Sequence, residues 1–245
     1  MTDRPIIFSA PMIQALLAKR KTRTRRVLRL PKWASTDPGH IEFADTGEAE
    51  IICRDTGCLA ALPLPYAVGD RLWVRETCRA EELESGQDGV RYAADKAFAP
   101  IQDARWAADM WLALRGYRQK TCRRGSIGLP VPSIHMPRWA SRLTLPVVSV
   151  RVERLLDITE EDAEAEGVCH FVEQGHRAGS FEGLSGAERT ARVCNIYGSC
   201  REAFRALWES LHGPASWNAN PWVVPVGFDV QHANIDALDA GRAAA

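Results

Sequence analysis

The chain reads as α+β: a small β-barrel decorated with helices and insertions. Three observations predict this. Short alternating or β-branched runs recur, such as Arg71–Glu76 and Ser141–Val152. Two or three segments carry apolar residues at helical spacing. The 18 glycines and 14 prolines punctuate the chain between such runs. The length suits a single domain over 1–234, with insertions at about 30–65, 96–130 and 169–200 and a disordered tail at 235–245.

The opening stretch, FSAPMIQALLAKRKTRTRR, predicts a helix followed by a basic strand. Ser9 suits the N-cap and Pro11 the first turn, where its missing N–H costs nothing. Met12, Ile13, Leu16 and Leu17 form one apolar face. Six cations then follow within eight residues, interleaved with Thr22 and Thr24, whose branched side chains suit a pleated surface. Leu30 to Pro65 is irregular apart from a short apolar run at Ala49–Cys53. Gly69-Asp70 is a turn signal before Arg71–Glu76, where Leu72 and Val74 face inward and Arg71, Trp73 and Arg75 face outward. Arg91–Asp95 reads as another short strand.

Trp106, Met110, Trp111 and Leu114 recur at helical spacing, with Gly116 as a stop. A Pro-rich connection, GLPVPSIHMPRWA, leads into the strand Ser141–Val152, in which Pro146 implies an edge or a bulge. Asp157 or Thr159 caps the acidic helix TEEDAEAEG, Asp162 completes an approximate capping box, and Gly167 ends it. Cys169–Cys200 is Gly- and charge-rich and reads as a flexible insertion. Phe204, Leu207, Trp208 and Leu211 stripe one face of a later helix, and SWNANPWVVPVGFDV supplies a final strand.

With 31 basic and 31 acidic residues the chain is neutral, which argues against bulk adhesion to nucleic acid or an anionic membrane. The charge of the opening run is therefore local, and a local cationic patch suggests an anion site, most simply for phosphate. No apolar run is long enough to cross a bilayer, and the N-terminus lacks the apolar core of a secretory signal. Seven cysteines, an odd number, read as reduced thiols of a cytoplasmic protein. Cys53-x4-Cys58 is wider than a zinc knuckle and has no second tight pair, so neither a metal nor a cofactor is expected.

The helix followed by KRKTRTRR resembles the signature of the ASCH domain family, of the PUA-like superfamily. GDRLWVRET and SIHMPRWASRLTL resemble its longer phage- and prophage-type members. The resemblance implies a PUA-like barrel with a nucleobase, modified nucleoside or RNA in a basic cleft. Some small bacterial members remove the acyl group of N4-acylated cytidine with a lysine, a threonine and a glutamate. Carried onto this sequence, these are Lys21, Thr24 and Glu166. A threonine hydroxyl needs a base, and a lysine serves as one when burial or neighbouring cations depress its pKa. In a straight strand Lys21 and Thr24 point to opposite faces, so convergence requires a turn between them.

Around this trio, Arg20, Arg23 and Arg26 are candidate phosphate contacts. Trp73 offers a stacking face, Arg75 a phosphate contact and Glu76 an acceptor for an exocyclic amine. His135 and Arg138 lie beside a tryptophan and are further lining candidates. Binding of RNA or a nucleoside is the leading expectation, ahead of an amidohydrolase and of a ribonuclease. An interaction module would instead expose an apolar patch around Trp106 and Trp111.

Overall fold

The computed structural model describes residues 1–30, 40–43, 49–52, 59–101, 105–117, 128–175 and 180–238. Strand β1 (Asp3–Ile7), helix α1 (Ala10–Leu17) and strand β2 (Arg23–Val27) open the chain. Strands β3 (His40–Phe43), β4 (Ala49–Ile52) and β5 (Leu59–Leu62) follow. Next come β6 (Arg71–Arg75), β7 (Cys78–Glu82), β8 (Asp88–Tyr92), β9 (Phe98–Pro100) and helix α2 (Arg105–Arg115). Strands β10 (Thr144–Val150) and β11 (Glu153–Arg154) lead to helices α3 (Glu160–Ala165), α4 (Val168–Gly175), α5 (Gly186–Tyr197) and α6 (Cys200–His212). Strand β12 (Trp222–Phe228) comes last. The chain is therefore α+β, with strand pairings of both senses.

These elements group into two compact units. The first comprises Met1–Thr2, Lys19–Asp70 and Pro146–Asp229; the second comprises Asp3–Ala18, Arg71–Leu145 and Val230–Ala245.

In the first unit β12 is central. Antiparallel β2 flanks it, with Thr24 opposite Val226 and Arg25 opposite Pro225, and β10 and β11 pair with it as well. Val223, Val224 and Val226 are fully buried, as the β-branched run predicts. The register of β10 shifts between Val147 and Ser149, one residue after Pro146, where a proline in a ladder calls for an irregularity. Gly227 lets β12 pass close to Ser149, whose hydroxyl would meet any added Cβ. Strands β3, β4 and β5 form an antiparallel meander in the same unit.

Helices α3 to α6 pack on one another through Ala163, Val168, Val172, Val193, Ala203, Phe204 and Trp208. The flexible insertion expected at 169–200 is thus corrected: α4 and α5 fill most of it. Ser185 caps α5 in a reciprocal box with Glu188, and Ser199 caps α6. The apolar stripe of α6 buries Phe204, Leu207 and Trp208, but Leu211 stays exposed at its end.

In the second unit β1 pairs in parallel with β6, and α1 buries Met12, Ile13, Ala15 and Leu16. Ser9 is its N-cap without a side-chain bond, so Pro11 in the first turn carries the start. Leu72 and Val74 are buried, as the alternation of β6 predicts. The strand expected at Arg91–Asp95 lies earlier, at Asp88–Tyr92, because residues 93–96 form the turn into β9. Helix α2 covers the β7–β8–β9 meander, with the indole Nε1 of Trp111 donating to the Gly89 carbonyl at 2.8 Å. Trp111 is therefore buried, which removes it from the exposed patch expected there; the side chain of Trp106 lies outside the described residues.

The disordered tail is corrected at its start. Ile235 is fully buried and 235–238 is helical, while the Asn234 amide donates to the carbonyls of Arg138, Trp139 and Ser141. Cys53, Cys58 and the rest of the tail fall outside the described residues. Among the described residues no helix is long and apolar enough to cross a membrane.

Candidate active site

Lys21 lies just before β2, and Glu166 follows the last turn of α3. Thr159 starts that helix by accepting the Asp162 N–H at 3.1 Å, and Gly167, at φ +81°, ends it in the left-handed region. The main chain ties the two segments together, the Thr22 N–H donating to the Ala165 carbonyl at 2.9 Å. Lys21 Nζ then donates to both the carboxylate and the main-chain carbonyl of Glu166, each at 2.8 Å. Lys21 is 2 % exposed and Glu166 3 %.

Arg25 is the second cation on this carboxylate. Its guanidinium reaches Glu166 at 3.3 Å and Glu153 at 2.8 Å, and also pairs with Asp162. Arg23 pairs with Asp162 as well, and Arg151 reaches it at 3.0 Å. Three carboxylates thus hold four cations, of which Lys21 and Arg25 are out of water. Pairing on this scale offsets the cost of burying charge. Burial pulls the Lys21 ammonium below its ordinary 10.5; Glu166 opposes that shift, and Arg26 and Arg25 add to it.

Thr24 is buried on β2. Arg23 and Arg25 share the face of β2 that meets the carboxylates, so alternation puts Thr24 on the opposite face, in step with Arg26. Of the carried-over trio, then, Lys21 and Glu166 meet directly and Thr24 is out of step along the strand. Of the other cations expected here, Arg20 turns to Glu173 at 2.9 Å, and Arg26 is half-buried. Glu173 also takes Arg189 and lies 3.2 Å from His170.

Sequence reading did not put Asp162, Glu153 or Arg151 among the site residues. Two signals were available. Asp162 and Glu166 stand four apart on one helix, and Arg23 and Arg25 stand two apart on one strand. Each pattern puts like charges on one face, and an acidic helix face then matches a basic strand face. The second half of the expected capping box is absent for the same reason: the Asp162 carboxylate goes to arginines.

The remaining candidates belong to the second unit. Trp73 is half-buried under the Arg75 guanidinium, 5.2 Å from the ring centroid, and Arg75 also donates to the Ile134 carbonyl. Glu76 is buried and takes a two-pronged hydrogen bond from Arg142 at 2.7 and 2.9 Å. Burial raises its carboxyl above the ordinary range despite Arg142. His135 is exposed against the Tyr117 ring at 5.5 Å. Arg138 is tied to Asp3 at 2.6 Å and Asp236 at 2.7 Å. In this group the charges are largely taken up by partners, and Trp73 keeps part of a ring face open.

Comparison with protein-family models, with curated proteins and with solved structures gives no match.

Proposed function

We propose that this is an ASCH-type protein of PUA-like architecture that takes a modified nucleobase or nucleoside beside Lys21 and Glu166 and hydrolyses an acyl amide there. One observation carries the reading: a buried lysine, held at 2.8 Å by a buried glutamate, with its pKa lowered by burial. A lysine kept this way reaches its neutral, basic form more readily than one in water.

In the reaction, the neutral Lys21 amine takes the proton of the attacking hydroxyl, and the oxygen adds to the acyl carbon. The proton then passes to the departing exocyclic nitrogen, which leaves as the free amine. Glu166 fixes the direction of the Lys21 amine through its hydrogen bond. Thr24 faces away from Glu166 on β2, so water is the nucleophile and the acid leaves in one step.

Capture of RNA by the basic strand has less support, since Lys21, Arg20, Arg23 and Arg25 already hold carboxylates. Phosphate contacts need cations with charge to spare.

The test is incubation of the protein with a panel of N4-acylated cytidines and with labelled RNA, resolved by liquid chromatography. Lys21→Met, Glu166→Gln and Thr24→Val are run beside wild type, each with its melting temperature. Deacylation lost in the first two variants and kept in Thr24→Val is expected. A purely structural pair predicts no turnover by any form, with the two variants merely less stable. RNA retention that weakens as salt rises would restore the binding reading.

A further inference from the structure

The second unit holds a cavity of about 200 Å³ lined by Thr77, Arg79, Arg91, Tyr92, Lys96 and Pro130, among others. Three of these side chains are cations. Behind them stands one carboxylate, Glu81, which accepts from Arg79 at 3.0 Å and from Arg91 at 2.6 Å. Arg91 shapes its carboxyl most, with burial opposing and Arg79 assisting, and the result lies below the ordinary range. Glu81 thus stays ionised and neutralises one of the three cations, so cations outnumber carboxylates at the cavity wall. The neighbouring carboxylates Asp95 and Glu76 are both taken by Arg142.

Lys96 is the informative member. It sits in the turn between β8 and β9, where its N–H donates to the Tyr92 carbonyl at 3.1 Å and the Ala97 carbonyl accepts from the Tyr92 N–H at 2.9 Å. Its φ is +63°, in the left-handed region that glycine or asparagine fills at lower cost. A long cationic side chain in that conformation stores backbone strain, which collects where a position serves a function. The Lys96 carbonyl accepts from Arg91 Nη1 at 2.8 Å, so the strained residue also orients a second cation of the cavity. Lys96 Nζ meets the Ala93 carbonyl at 3.1 Å, a neutral acceptor that leaves its charge uncompensated.

We propose that this cavity binds the phosphate group of a small phosphomonoester, or free phosphate. Arg79, Arg91 and Lys96 supply the donors, and Tyr92 and Pro130 belong to the rest of the lining. Paired guanidiniums and an ammonium suit a phosphate, which offers several charged acceptors at once. The cavity is smaller than the roughly 300–1,000 Å³ of pockets that enclose whole drug-sized ligands, so it fits a terminal phosphate and its first substituents. The site is independent of Lys21 and Glu166 and stands whether or not that pair is catalytic.

The experiment records the melting temperature of the full chain at constant ionic strength. The probes are chloride, inorganic phosphate, glycerol phosphate, and an oligonucleotide carrying internal phosphates only. Forms compared are wild type, Arg79→Gln and Lys96→Gly. Phosphate and glycerol phosphate, but not chloride, are expected to raise the wild-type melting temperature. Lys96→Gly relieves the turn, so its own melting temperature rises by about 2–4 °C while its response to phosphate falls at least tenfold in affinity. Arg79→Gln loses affinity without gaining stability. Three results would overturn the proposal: no wild-type response to phosphate, an equal response in Lys96→Gly, or a stronger response to the oligonucleotide than to glycerol phosphate.

Discussion

The side chain that organises the first unit is Arg25, which joins Glu153, Asp162 and Glu166 with its own guanidinium fully out of water. Removing it takes a fully buried cation from three carboxylates that keep Lys21, Arg23 and Arg151, so Arg25→Met is expected to cost about 3 kcal/mol in urea unfolding. Arg205→Ala, which breaks an exposed pair with Glu209 on α6, is expected to cost no more than about 0.5 kcal/mol. In the second unit Glu81 gives a prediction for pH. Its carboxyl is held below 4.5 in the fold, so its contribution is intact above 4.5 and disappears as pH falls through the lowered value. Thermal melts across that range should show wild type losing stability on acidification, and Glu81→Gln losing less. The candidate residues were legible in the sequence only in part. Lys21 and Glu166 stood out as types, yet their contact spans 145 residues, and no local spacing reports a pairing of that range. The basic run read as an anion site because the carboxylates that hold four of its six cations, Glu153, Asp162, Glu166 and Glu173, lie far along the chain.

Among the elements, those with strong local patterns were legible. Alternation located β6, β-branched content located β10, helical spacing located α1, α2 and α6, and cap and stop residues located α3. Strand β1 escaped because its burial comes from parallel pairing with β6, which composition does not announce. The reading of 169–200 as flexible weighed Gly and charge content over caps. SGAE, from Ser185 to Glu188, is a capping box, and it begins α5. Ser185→Ala should therefore cost about 1 kcal/mol, seen as a fall of roughly 2–4 °C in melting temperature. A stricter test of packing is Gly89→Ala on β8. Its new Cβ would strike the Phe98 ring and the Ala99 carbonyl, and the latter, being backbone, cannot rotate away. A loss of about 1–3 kcal/mol is expected, with the indole of Trp111 reporting the shift by fluorescence because it bonds the Gly89 carbonyl.

At the scale of the whole molecule, neutrality hides strong local order. The chain carries 31 charges of each sign, and the first unit concentrates both signs where β2 meets α3. The α+β class was legible from element types alone. The division into two units was not, because each unit draws on distant stretches of sequence, and the path of a chain between units leaves no compositional mark. The proposed function rests on the placement of one lysine. The measurement that bears on it most directly is the pH dependence of N4-acetylcytidine turnover by wild type. On the proposed reading Lys21 is the base, a role open to it only when neutral, and its pKa in the fold lies below 10.5. The rate should therefore climb with pH through that lowered value and level off before 10.5, and it should vanish in Lys21→Met. A folded wild-type protein with no turnover at any pH would contradict the account, and the buried pair would then be a device of stability alone.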